Sequence, residues 1–264
     1  VTEIEVQVPD CHRLVGALLG CVRTAGEAIM AIHGDEVGLR AKPDGSPVTL
    51  ADEAAEKILL AGLADVAPDI PVISEENADS HKRAPPDLFF LVDPLDGTRE
   101  FLRADGSGAF TVNIGLILHG APIMGLIFAP AHNRMFTGIV GENGGAAEWD
   151  GDSARGISVR EIPESGALAV ASRSHRDDAT NNWLDARHIT QTVAIGSSLK
   201  FCLLASGEAD VYPRFGPTME WDTAAGDAIL RAAGGRVEVP DGGDYPYGKP
   251  GYRNGPFIAY GAAF

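Results

Sequence analysis

The chain has 264 residues, 45% of them hydrophobic and 22% charged, with a formal net charge of −16. That is enough apolar material for a substantial core, in one compact body or two tightly packed halves, and too little charge for general disorder. The negative field opposes nucleic acid polymers and anionic membranes, yet it allows a small anionic substrate wherever local cations offset it.

Leu14, Leu18, Val22, Ala25 and Ile29 recur at helical spacing behind Asp10, an available N-cap. A second helix is predicted over Leu50 to Leu63, after a Gly/Pro-containing connector. Strands are predicted at Ile70 to Ile73 and Leu88 to Val92. Phe110 to Leu118 alternates, with Ile117 breaking the pattern, and continues through Ile123 to Phe128 and Met135 to Ile139 as an antiparallel meander. Ala147 to Trp149 and Ile157 to Val159 are shorter strands. The longest apolar stretch, Ile114 to Pro130, is interrupted by His119-Gly120-Ala121-Pro122, which predicts a hairpin and no membrane span.

After Ser165 strands and helices alternate: strand Leu168 to Ala171, helix Asp177 to Arg187, strand Thr192 to Ile195, helix Ser198 to Ser206, strand Ala209 to Tyr212, helix Asp222 to Ala233. A long ordered loop, Gly242 to Pro256, precedes a last strand, Phe257 to Tyr260. The expected class is mixed α/β, with an N-terminal α+β half over residues 1–160 and a C-terminal α/β half over 161–264. Cys11, Cys21 and Cys202 lack metal spacing and read as buried thiols of a reducing compartment. Val1 to Asp10 is acidic, unlike a signal peptide, so the expected location is the cytoplasm. No zinc, P-loop or G-x-S-x-G motif occurs.

Three acidic segments stand out. Asp93-Pro94-Leu95-Asp96-Gly97-Thr98 follows an apolar strand and precedes Arg99-Glu100-Phe101-Leu102, which can open a helix. Such a junction suits a hard cation beside a phosphate, although Asp, Pro and Gly are also ordinary turn-makers. Ser74-Glu75-Glu76-Asn77 reads equally as a solvated charge pair. Glu220-Trp221-Asp222 opens an apolar helix and reads as an N-cap or as a ligand source. Together Glu75, Asp93, Asp96, Asp222 and the Leu95 carbonyl make an all-oxygen set suited to two or three Mg2+ ions, which would clamp a phosphoryl group and activate water. Thr49-x-x-Asp52 reads either as a capping box or as the group that, through Thr98, orients that water.

In this order, the Pro47-to-Asp52 segment, Ser74-Glu75-Glu76, Asp93 to Thr98 and Trp221 to Gly226 resemble the inositol-monophosphatase-like family of Mg2+-dependent, lithium-sensitive phosphatases, over nearly the whole chain. The resemblance implies a layered αβαβα sandwich. It implies that Glu75, Asp93, Leu95 (through its carbonyl), Asp96 and Asp222 bind Mg2+. Gly97 and Thr98 would hold phosphate through backbone N–H groups, and the catalytic residues would be Asp52, Thr98 and Glu75. Ala171-Ser172-Arg173-Ser174-His175, Gly196 to Lys200 and Tyr212-Pro213-Arg214 look like the 3′(2′),5′-bisphosphate nucleotidase branch. There, residues matching His175, Ser197, Lys200 and Arg214 hold the second phosphate and sugar. Lys42 and Ser46 resemble a mobile loop over the metals.

The implied substrate is 3′-phosphoadenosine 5′-phosphate, a by-product of sulfate activation, with the sulfated nucleotide as a further substrate. Rivals are inositol monophosphate or fructose 1,6-bisphosphate, with histidinol phosphate a lesser one. A non-catalytic phosphometabolite sensor would not need the Asp52–Thr98 pair. Partners are then small phosphorylated nucleotides or sugars, and homodimers are common in the family. Tyr245, Tyr247 and Tyr252 are expected to pack their loop down in preference to stacking on a base.

Overall fold

The computed structural model describes residues 8–33, 38–41, 47–103, 108–172 and 176–262. His175, Lys42 and Ser46 lie outside the described residues. Asp10 accepts a hydrogen bond from the Arg13 N–H at 3.0 Å and caps α1 (Cys11–Ile32). By length and composition α1 could cross a membrane. Its stripe of Leu14, Leu18, Val22 and Ile29 is instead buried in the core against α2 and the first sheet. A two-strand ribbon of β1 (Arg40–Ala41) and β2 (Pro47–Val48) leads into α2 (Leu50–Val66).

The first sheet has the order β3 (Val72–Ser74), β4 (Leu88–Asp96), β5 (Thr111–Leu118), β6 (Ala121–Ala129), β7 (Arg134–Ile139), β8 (Gly145–Asp150) and β9 (Ser153–Ile157). Only the β3–β4 pair is parallel. Between β4 and β5 stands the single turn α3 (Thr98–Phe101). The predicted hairpin joins β5 and β6 through His119 and Gly120, both at positive φ as a type I′ turn requires. Ile117 broke the alternation because β5 is buried on both faces: Val112, Ile114 and Leu116 face α1 and α2, and Ile117 faces the inner layer.

The second sheet has the order β11-β10-β12-β16-β14, drawn from β10 (Leu168–Ser172), β11 (Gln191–Ile195), β12 (Val211–Arg214), β14 (Arg236–Glu238) and β16 (Phe257–Tyr260). Helix α4 (Asp178–Asp185) covers its outer face, where Trp183 and Leu184 meet Val211 and Ile258. Helices α5 (Leu199–Ala205) and α6 (Ala224–Ala232) lie between the sheets. The layers therefore run α1/α2, sheet, α5/α6, sheet, α4, the expected αβαβα sandwich.

Gly115, Gly125 and Gly138 sit side by side on β5, β6 and β7. They let α6 lie on the sheet: a Cβ on Gly115 would come within 2.7 Å of the Ala224 Cβ, and the other two would strike α6 backbone. Helix α6 begins two residues after Asp222, so this bare strip helps set the depth of that carboxylate.

Several sequence expectations need correction. Strand Ile157 to Val159 is instead β9, an exposed edge strand of Ser153–Ile157 whose backbone pairing carries no apolar signal. Strand β12 (Val211–Arg214) both begins and ends two residues later than predicted, and so includes Arg214. Strand β14 was missed, and the Gly242-to-Pro256 loop contains β15 (Arg253–Asn254), paired with β13 (Thr218–Met219). Of the cysteines, Cys202 is buried, while Cys11 and Cys21 are only half-buried.

Candidate active site

Strand β4 does not stop at Val92. It runs through Asp93-Pro94-Leu95-Asp96, with its pairing to β5 interrupted between Asp93 and Asp96. Pro94 has no N–H to give a ladder, and the irregularity absorbs it. The Leu95 N–H donates to Asp93 Oδ1 (3.0 Å), and the Leu95 carbonyl accepts from Thr98 Oγ1 (3.3 Å). Gly97 then turns the chain in the left-handed conformation at φ 91°, where only glycine is unstrained, and α3 begins at Thr98.

Asp52 unites its two readings. Its Oδ2 accepts from the Thr49 N–H and Oγ1 (both 2.7 Å), and the Thr49 hydroxyl accepts from the Ala51 N–H, which completes the capping box. Its other oxygen, Oδ1, accepts from Thr98 Oγ1 at 3.3 Å. One carboxylate thus starts a helix and holds the hydroxyl of a residue 46 positions away.

Carboxylate oxygens of Glu75, Asp93 and Asp222 lie within 4.8 Å of one another, with Asp93 buried and the other two half-buried. Glu75 comes from the end of β3. Asp222 comes from a 3-10 turn, Glu220–Asp222, that precedes α6. Asp222 is therefore not the N-cap of α6: Thr223 holds that position, and the Oδ2 of Asp222 accepts from the Met219 N–H at 2.8 Å. The second oxygen is left for the cavity.

Burial, then repulsion from Glu75, Asp96 and Asp222, pushes Asp93 well above the usual carboxylate range. Asp222 is pushed up the same way, by burial and by Asp96 and Glu75. Burial also raises Asp96, against the pull of Lys200. Carboxylates crowded to that degree lack positive charge, and an all-oxygen set of this kind fits a hard divalent cation such as Mg2+.

Asp96 is steadied by groups the sequence reading passed over. The Ser198 N–H donates to Asp96 Oδ2, while Ser198 Oγ donates to Asn113 Oδ1 (2.7 Å) and lies 2.8 Å from Thr111 Oγ1. A hydroxyl has one proton, so Thr111 is the donor in that last pair. An asparagine inside the apolar strand β5 was the available signal, since buried polar groups need partners.

Ser197, Lys200 and Arg214 all line the cavity that holds the acids. Neither cation is the solvated group that a surface position would supply. Lys200 is 3% exposed, donates to the carbonyls of Ser197 and Ile195, and sits 4.9 Å from the Tyr212 ring centroid. Burial lowers its pKa, against the pull of Asp96. Arg214 donates to the carbonyls of Gly216 and Pro217 (both 3.1 Å), which leaves its Nη1 free of protein partners among the described residues. Ser197 adopts a positive φ of 52°, and its Oγ accepts from the Leu199 N–H. Tyr245, Tyr247 and Tyr252 are buried in the inner core, so they pack the loop down. Glu220 pins that loop by accepting from the Gly248 and Lys249 N–H groups at 2.8 and 2.9 Å.

Fold and site together define a metal-dependent phosphatase architecture. The chain belongs to the inositol monophosphatase family, whose model matches residues 11–260. This family generally depends on Mg2+. Among similar proteins, the 3′(2′),5′-bisphosphate nucleotidase CysQ of Shigella flexneri is 44% identical over 240 residues, covering 88% of this chain and 95% of the relative. Its counterpart in Escherichia coli K12 is 43% identical over the same length, with the same coverage. The crystal structure of CysQ from Bacteroides thetaiotaomicron superposes with a TM-score of 0.80 at 33% identity, covering 97% of this chain and 99% of that one. An inositol monophosphatase from Anabaena is similar at a TM-score of 0.74 and 26% identity, covering 96% and 92%.

Proposed function

We propose that this chain is a cytoplasmic, Mg2+-dependent, lithium-sensitive phosphomonoesterase that removes the 3′-phosphate of 3′-phosphoadenosine 5′-phosphate, yielding AMP and phosphate. The observation that carries the reading is the Asp52–Thr98 contact at 3.3 Å beside the Glu75–Asp93–Asp222 cluster. The names of the relatives support the choice of a bisphosphate nucleotide over a sugar phosphate.

Glu75, Asp93, Asp96, Asp222 and the Leu95 carbonyl would hold two or three Mg2+ ions, whose Lewis acidity polarises the phosphoryl oxygens and acidifies water. The chain's own contribution is orientation and proton transfer. Thr98 Oγ1 takes a proton from the attacking water and passes its own to Asp52 Oδ1. Asp52 is placed to receive that proton because its Oδ1 is the oxygen that Thr98 Oγ1 contacts, while Thr49 binds Oδ2. Water attacks phosphorus and the bond from phosphorus to the 3′ oxygen breaks. That oxygen takes a proton from a second solvent water and leaves as the hydroxyl of AMP, while Asp52 returns the proton it received to solvent, so that one water is consumed overall. Gly97 and Thr98 present backbone N–H groups to the transferred phosphate. His175, Ser197, Lys200 and Arg214 are assigned to the second phosphate and sugar, where a point charge and a planar fork suit a dianion.

Phosphate release from the bisphosphate nucleotide, inositol 1-phosphate and fructose 1,6-bisphosphate, with and without Mg2+ and Li+, tests this. The expected result is Mg2+-dependent, Li+-inhibited turnover with the highest kcat/KM for the nucleotide. No turnover of any ester refutes the enzyme, and equal kcat/KM values refute the nucleotide specificity.

A further inference from the structure

Glu75 and Asp222 reach one cavity from different layers, and their separation has to be maintained by something other than the local chain. His81, on the 3-10 turn Ser80–Lys82, touches both segments. Its Nε2 lies 2.7 Å from the carbonyl oxygen of Ser74, the residue just before Glu75. A carbonyl can only accept, so Nε2 carries the proton. The imidazole stacks on Trp221, the residue just before Asp222, with ring centroids 4.6 Å apart and planes inclined by 24°. The Trp221 Nε1 is buried without a hydrogen-bond partner among the described residues, so no hydrogen bond orients the indole, which is held by packing in the inner core, by the His81 stack and by Tyr252 at 6.4 Å. Ser80 tightens the same corner: its Oγ accepts from the Ser74 N–H (3.2 Å) and donates to the Asn77 carbonyl (2.6 Å).

We infer that His81 is a positioning residue for the divalent-cation site. It clamps the Glu75 segment of the first sheet to the Asp222 segment ahead of α6, and thereby sets the affinity for Mg2+. The inference rests on the metal-dependent reading above. The hydrogen bond fixes the height of the Ser74 carbonyl, and the stack fixes the angle of Trp221. Losing both lets the two carboxylates relax apart under their mutual repulsion. Partners one step removed from a metal typically carry about 10–100-fold in metal affinity.

The test compares the metal-stripped full chain with His81→Ala, His81→Phe and His81→Gln by calorimetric titration with Mg2+ and by the Mg2+ dependence of phosphate release. His81→Ala is expected to weaken Mg2+ binding about 10-fold, with the lost rate recovered by raising Mg2+. Phe keeps a ring on Trp221 and Gln keeps an N–H donor, so each should lose less than Ala. If the Ala variant does not fold, weaker Mg2+ binding in both Phe and Gln supports the inference, and unchanged binding overturns it. Unchanged affinity in a folded His81→Ala, or a lower kcat that added Mg2+ does not restore, also overturns it. A wild-type chain that takes up no Mg2+ would sink the metal-phosphatase reading itself, which keeps the two failures apart.

Discussion

A methyl group on Gly125 would collide with the carbonyl oxygen of Ala225, so β6 and α6 touch backbone to backbone at that point. Three residues before Ala225 stands Asp222. Gly125→Ala should therefore cost about 1–3 kcal/mol through overpacking, and should lower activity by displacing the helix that follows the carboxylate. Urea unfolding and steady-state rates measure both. A variant as stable as wild type would show that α6 does not lie this close.

Thr98 Oγ1 lies 3.3 Å from both Asp52 Oδ1 and the Leu95 carbonyl oxygen, so its one proton is shared between the two acceptors beside the acids. Thr98→Ala and Asp52→Asn should each reduce kcat by about 100-fold or more, while Thr98→Ser retains much of the rate. Near-normal kcat in Thr98→Ala would remove the proton path.

Crowded carboxylates destabilise the metal-free chain. Asp222→Asn keeps an oxygen for the Met219 N–H but removes a charge. The metal-stripped variant should be more stable than wild type, yet inactive and poorly stabilised by Mg2+. Calorimetric melting with and without Mg2+ checks this; a less stable metal-free variant would contradict the repulsion.

Lys200 serves two masters, the cavity and Asp96. Lys200→Met should reduce kcat/KM for the bisphosphate nucleotide at least about 10-fold more than for inositol 1-phosphate, in line with charge-assisted hydrogen bonds worth about 1.5–3 kcal/mol. Equal losses on both substrates would mean that Lys200 acts only through Asp96.

Asp210 is buried and accepts two hydrogen bonds from Arg160 (both 2.9 Å) and one from the Leu168 N–H (2.7 Å). Burial works to raise its pKa, but these bonds outweigh it and hold the carboxyl below its ordinary value. A lowered folded-state pKa contributes stability that is fully present above the ordinary carboxylate value. That stability is lost as the pH falls through the folded value. Unfolding free energies should fall more steeply below pH 4 in wild type than in Asp210→Asn. Parallel curves would refute the assignment.

Much of this site was legible in the residues. Asp93 to Thr98, Glu75, Asp222 and Asp52 carry oxygen chemistry on their face, and the helix starts at Asp10 and Thr49 follow from local capping. The irregular end of β4 was hidden, because Asp-Pro-Leu-Asp reads as a turn until its pairing with Asn113 and Thr111 is seen. His81 and Ser198 were hidden for another reason. Each works on a residue that only the fold brings near, at separations of 140 positions for His81–Trp221 and 102 for Ser198–Asp96.

The sequence by itself determined which groups were available: five acids, a hydroxyl, a glycine turn and two cations, each made recognisable by short-range patterns of 2, 3.6 or a few residues. Tertiary structure alone decided that Glu75, Asp93 and Asp222 share one space, that a strip of three glycines sets how α6 seats behind Asp222, and that Lys200 and Arg214 are buried. Local propensity acts over a few bonds. The electrostatics that make this cluster need a cation depend on distances that only the packed layers supply.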